Sequence, residues 1–180
     1  MPQCLPAFLA LAATGVPFPS LSEFGEYPGV PAGMPLLLLL LAVLVVNGYG
    51  EEAGWRGFAT RLLVPRFGKF RATLVVAAMW LVWHAPLFWL NASMQDLVGP
   101  VLLGWVFGLL CAAFLLAGLY LASHNSILVV AVWHTLYNFT VATPAATDAS
   151  TAVITAVVMV WGACVAFVWW RNDHTAKSSD

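Results

Sequence analysis

Long apolar runs follow one another from Leu36 to Trp170, and few charges interrupt them. Runs of this kind cannot all be hidden from water inside a small soluble domain, so lipid is the solvent in which the chain folds. A run of ~17–25 apolar residues is the length that crosses a bilayer as a helix. In lipid the helix also satisfies its own N–H and C=O groups. Hydrophobic residues make up 62% of the 180-residue chain and charged residues 8%, against about 25% charged in a soluble domain. The predicted fold class is therefore all-α, a polytopic transmembrane helix bundle with about five spanning helices.

The first predicted helix starts near Pro35, a residue favoured in a first helical turn, and runs through Leu36 to Val46. The others cover about 72–90, 97–122, 127–142 and 151–170. Residues 1–35 form an irregular, Pro-rich N-terminal lead-in, partly interfacial, with prolines at 17, 19, 28, 31 and 35. Its apolar stretch from Leu5 to Val16 contains Pro6 and is too short to span, and no basic residue precedes it, so no cleavable signal is expected. Residues 36–171 form the helical domain, and 172–180 a polar tail. Cys4, Cys111 and Cys164 are scattered without metal or redox spacing and read as small buried hydrophobes.

Arg56, Arg61, Arg66, Lys69 and Arg71 lie between the first two runs, and Arg171 and Lys177 follow the last. The positive-inside rule then makes the basic loop 56–71 and the C-terminus cytoplasmic. A bacterial-type plasma membrane is the simplest location. The net charge of −1 and the lack of a basic arm give no basis for nucleic-acid binding. The expected partners are the bilayer and a membrane protein or peptide substrate; oligomeric state is not encoded legibly.

Strongly polar groups in apolar helices are costly, so they face one another or a wet cavity. Glu51-Glu52-x-x-x-Arg56 follows the first run, which has only Asn47 and Tyr49 as polar breaks. Glu52 and Arg56, four apart, suit a pair on one helix face, leaving Glu51 about 100° away as a candidate general base. His84 lies inside the second helix about 12 residues (~18 Å) from its basic end, with Pro86 expected to kink or loosen the helix. His134 and Asn138 stack at i, i+4 on the fourth, His134 about eight residues (~12 Å) from the turn 123–126. If the first helix continues to about Leu63, Glu51 lies ~18 Å deep, so the three elements reach similar depths. Two histidines and a carboxylate at one depth suit the activation of water. Gly50-x-x-x-Gly54 and Gly104-x-x-x-Gly108 suit close helix packing.

These residues give a resemblance to the CPBP family, which includes type II CAAX prenyl endopeptidases and Abi-type bacteriocin-processing membrane proteins. The family shows E-E-x-x-x-R, F-x-x-x-H and H-x-x-x-[ND] on successive core helices. Here the motifs read Glu51-Glu52-x-x-x-Arg56, Trp80-x-x-x-His84 and His134-x-x-x-Asn138, in the family's order and spacing. The second has Trp for Phe at its first position. The resemblance implies intramembrane endopeptidase activity on membrane-associated or lipidated protein substrates. It implies that Glu51 and His84 activate the water, that His134 and Asn138 stabilise the oxyanion, and that Glu52 and Arg56 support the site. No cofactor is favoured, although Glu51, His84 and His134 would make a His₂Glu zinc set. H-E-x-x-H is absent, and Asn is a poor zinc ligand but a good neutral donor. A metallo- or a glutamate-type endopeptidase both fit. The alternatives are a bacteriocin immunity or binding protein of the same family without required proteolysis, and a proton-coupled carrier. The last is disfavoured by the lack of inverted repeats.

Overall fold

The computed structural model describes residues 20–146 and 148–175, without the side chains of Ser93, Asp148, Ala149, His174 and Thr175. The reading of the stretch Leu5 to Val16 and most of the tail lie outside the described residues. Every regular element among the described residues is helical. After a 3₁₀ turn at Leu21–Phe24 come α1 (Leu36–Val43), α2 (Gly50–Glu52), α3 (Arg61–Trp83), α4 (Leu87–Leu90), α5 (Ala92–Gln95), α6 (Pro100–Ala122), α7 (Ile127–Ala142) and α8 (Asp148–Thr175). Three helical stretches are long and apolar enough to cross a membrane: Leu36–Leu90, Pro100–Ala122 and Ser150–Asp173. The shorter α7 is also apolar. The chain is an integral membrane protein. Many large apolar side chains are exposed, among them Leu37, Val46, Phe58, Val82, Trp89 and Leu90.

The 55-residue stretch Leu36–Leu90 contains both of the first two predicted spans. The predicted loop 56–71 is instead mostly helical, with a kink at Gly68, where the backbone leaves helical geometry (φ +76°, ψ 167°). Only glycine adopts that conformation without strain. Pro65, three residues earlier, removes one helical donor beside the bend. Two π-helical stretches, Leu44–Tyr49 and Ala53–Thr60, flank α2. Such wide turns recur at functional sites. The Thr60 hydroxyl follows the wider register and donates to the Trp55 carbonyl five residues back, at 2.8 Å. In α3 the Thr73 hydroxyl reaches the ordinary four residues, to the Lys69 carbonyl at 2.8 Å.

The chain forms two compact units. The first contains residues up to Glu52 together with Ser126–Val157. Its core is Leu39, Val43 and Phe139, covered by Phe24, Tyr27, Val30 and Met34 of the Pro-rich lead-in. The Ala145 N–H also donates to the Glu23 carbonyl at 3.2 Å, fastening that segment at a second point. α7 packs directly on the first π stretch at Gly48, where a methyl group would meet the Thr135 hydroxyl and, at 2.7 Å, the Ala131 carbonyl oxygen.

The second unit contains Ala53–Asn125 and the chain from Val158 onward. Phe114 of α6 lies between Phe70 of α3 and Trp169 of α8, with ring centroids 5.4 and 6.1 Å away. Gly162 lets α8 approach the Cys111 carbonyl so closely that no side chain would fit. Close packing therefore falls at Gly48 and Gly162. The expected G-x-x-x-G contacts are corrected at Gly54 and Gly104, where a Cβ would have no neighbour within 4 Å; Gly108 does meet Met159, at 3.1 Å. Cys111 is buried as expected, whereas Cys164 is exposed on the outer surface of α8.

Candidate active site

The first unit holds Glu51, Glu52, His134 and Asn138. Glu51 and Glu52 occupy the short α2 between the two π stretches; Glu52 is fully buried and Glu51 partly exposed. On α7, Ser126 caps the N-terminus by accepting from the Val129 N–H at 3.4 Å. Two helical turns later His134 is buried against α2. Its Nδ1–H donates to Glu52 Oε1 at 2.8 Å, joining residues 82 apart in sequence. That bond fixes the orientation of the ring.

Asn138, one turn on from His134, is partly buried. Next to it Phe139 packs on the Tyr27 ring, with centroids 5.3 Å apart. The Tyr27 oxygen accepts from Asn47 Nδ2 at 3.2 Å. Burial pushes the Tyr27 phenol above its usual range; the bond to Asn47 opposes this, the Glu51 charge adds to it, and the bond to Asn138 opposes it. Tyr27 thus joins Glu51 and Asn138 in one polar group.

The second unit holds Arg56 and His84. The Arg56 guanidinium is fully buried and stands 4.8 Å from the Trp80 ring centroid. Arginine suits this position because its planar, weakly hydrated cation stacks on an indole face. Trp80 also meets His84 edge-on, 5.5 Å between centroids, and Trp105 of α6 closes on His84 at 5.6 Å. His84 was expected inside a helix; it stands instead at the C-cap of α3. Pro86, without an N–H, ends the helix there and begins the separate α4. The ring follows the helix back, and Nδ1–H donates to the Trp80 carbonyl at 2.7 Å. A carbonyl only accepts, so the neutral ring carries its lone pair on Nε2.

A family model described as Type II CAAX prenyl endopeptidase Rce1-like matches residues 33–140, a span that includes all three motifs. The chain belongs to the Rce1-like type II CAAX prenyl endopeptidase family. It is also similar to CAAX prenyl protease 2 of Methanococcus maripaludis, 27% identical over 170 residues. That alignment covers 89% of this chain and 61% of the relative, so the chain spans about three fifths of the relative's length. No solved structure matches the chain.

Within this Rce1-like chain the two histidines differ in kind. His84 is held by a neutral carbonyl and offers a bare Nε2, the form of a base. His134 is held by a carboxylate, through the buried bond to Glu52. Among the described residues, no three His, Cys, Asp or Glu side chains are grouped to hold a metal ion.

Sequence reasoning missed three contacts. The Glu52–His134 bond has no local spacing to reveal it, and the i, i+4 pattern offered only Arg56 as Glu52's partner. Trp80 was visible as a motif position, but its role beneath a guanidinium was not. Tyr27 carried no signal, being a lone tyrosine in a Pro-rich segment.

Proposed function

We propose that the chain is an intramembrane endopeptidase acting on membrane-associated, lipidated protein substrates, with prenylated CAAX C-termini as the substrate class. Family membership supports peptide-bond hydrolysis. The observation that carries the reading to particular residues is the buried 2.8 Å bond between Glu52 and His134. Ionisable groups kept inside apolar helices are functional by default, because hydrophobic replacements would cost less.

Glu51 takes a proton from water, and the water oxygen bonds to the scissile carbonyl carbon as the C=O electron pair moves onto oxygen. Motif order assigns His84 to the same water, and its Nε2 lone pair suits that task. The oxyanion accepts from Asn138 and from the His134 imidazole, whose ring is oriented by Glu52. Glu51 then returns its proton to the amide nitrogen as the C–N bond breaks. Arg56, seated on Trp80, supports the first motif. The positive-inside rule puts the basic segment 56–71 and the C-terminus on the cytoplasmic side of a bacterial-type plasma membrane.

The test is cleavage of a farnesylated CAAX peptide by purified protein in lipid nanodiscs. Glu51→Ala is expected to lower kcat by ~10²–10⁴-fold while folding and insertion persist. An unchanged rate in that variant would remove Glu51 from the mechanism. If protection against a bacteriocin survived the same substitution, a binding role without proteolysis would be favoured instead.

A further inference from the structure

We propose that the groove between α3 and the C-terminal end of α8 is a lipid site, which takes the headgroup of a phospholipid bearing a primary ammonium, such as phosphatidylethanolamine. The groove lies wholly in the second unit, and its role does not depend on the endopeptidase reading.

A cavity of about 390 Å³ opens there, within the ~300–1,000 Å³ usual for small-molecule sites. Val64, Val168 and the Trp169 indole give it an apolar side, and Lys69 and Asp173 give it one charge of each sign. The stretch of α8 that can cross a membrane ends at Asp173, so the cavity stands where a span leaves the hydrocarbon. Lys69 precedes His84 by about 15 residues, or roughly 22 Å of helix, so the cavity is remote from that imidazole.

Both charges are held in place by the fold. Lys69 Nζ stands 5.9 Å from the Trp169 ring centroid. A cation seated on an indole face keeps N–H donors on its other side. Asp173 rests on Gly68, where a Cβ would lie 2.9 Å from Oδ2, so a side chain there would displace the carboxylate. The φ of +76° at Gly68 is one that glycine adopts without strain. The kink of α3 thus makes the room that the carboxylate occupies.

Charge decides the occupant. Arg66 and Arg71 are exposed on the same segment, and alone they would favour any anionic lipid. A carboxylate in the cavity disfavours a net negative headgroup and favours one with an ammonium beside its phosphate. Lys69 then donates to the phosphate oxygens, the lipid ammonium donates to Asp173, and an acyl chain follows the exposed Val168. The last turn of α8 acts in the same direction, since the C-terminal end of a helix favours a cation. A choline headgroup carries the same charges but has no ammonium N–H to donate to Asp173.

The test is native mass spectrometry of the full chain released from micelles with equal amounts of phosphatidylethanolamine, phosphatidylcholine and phosphatidylglycerol. The ethanolamine lipid is expected to be retained at least about threefold over either of the others, a modest share of one charge-assisted bond. Asp173→Asn should bring its retention down to that of the choline lipid. Lys69→Gln should lower retention of all three by roughly threefold or more, because each carries the phosphate. Equal retention of the ethanolamine and choline lipids by the native protein would overturn the proposal, as would a preference for the glycerol lipid. If the two side chains only neutralise each other, both variants lower the unfolding midpoint in detergent while lipid retention stays the same, and the proposal fails. Should Asp173→Asn not insert, the native protein still decides through its choice between the ethanolamine and choline lipids.

Discussion

The two motif histidines are chemically distinct because of a single acceptor each. The backbone carbonyl of Trp80 takes Nδ1–H of His84, and the Glu52 carboxylate takes Nδ1–H of His134. Removing the carboxylate's charge while keeping its shape separates orientation from electrostatics. Glu52→Gln is expected to keep the fold, because the amide oxygen still accepts. It should lower kcat in the peptide assay by at least about tenfold, because a charge-assisted bond is roughly twice as strong as a neutral one. Glu52→Ala should also unfold more readily, by about 1–3 kcal/mol, since it leaves the buried imidazole N–H without its acceptor. Thermal unfolding in detergent reads the second effect, and equal unfolding midpoints for the two variants would contradict it. All six motif residues could be picked out from the sequence, being polar groups in apolar surroundings. The partner of Glu52 could not: local spacing reports i, i+4 neighbours, and this bond closes a loop of 82 residues.

At the scale of elements, the wide helical turns decide which residues meet. Helical spacing assumed a period of 3.6 residues and singled out Gly50, Gly54, Gly104 and Gly108 as packing glycines. The first π stretch instead brings Gly48 against the Ala131 carbonyl and the Thr135 hydroxyl. Gly48→Ala should therefore destabilise the protein by about 1–3 kcal/mol, the usual effect of overpacking. Because Gly48 lies three residues before Glu51, the same change should slow cleavage. Gly54→Ala and Gly104→Ala, facing open space, should be neutral or gain up to about 1 kcal/mol from helix propensity. Unfolding midpoints of the three variants give the comparison, and a Gly48→Ala protein as stable as the other two would contradict the contact. The α7 boundaries matched the expected 127–142, since Ser126 supplies a cap and apolar residues fill the run. The predicted loop 56–71 shrank to a kink at Gly68, because the basic residues around it carry good helix propensity.

For the whole molecule, composition alone dictated the class: a chain this apolar has helices in lipid as its outlet. Composition said nothing of how the Pro-rich lead-in is attached. Tyr27, Phe24, Val30 and Met34 fasten it to the core of the first unit. The fastening includes a titratable group, and it makes stability depend on pH. The Tyr27 phenol is held above its usual range, so the folded state keeps its proton more tightly than the unfolded chain. This contribution is fully present below the unfolded pKa of about 10 and is lost as pH rises through the higher folded value. The unfolding midpoint of the native protein should thus fall more steeply with alkali than that of Tyr27→Phe. Parallel curves would show that the phenol is not protected.

Pro86 has a further effect through the hydrogen it lacks. The carbonyl whose regular helical donor would have been the N–H of residue 86 is that of Val82, and it accepts instead from the Ala85 N–H at 3.0 Å. Hydrocarbon supplies no replacement, so a break at such a place is stable only where protein or water reaches it. The interruption that leaves His84 at a helix end is thus sealed by a tighter turn, which spares the bilayer an unmet carbonyl at Val82.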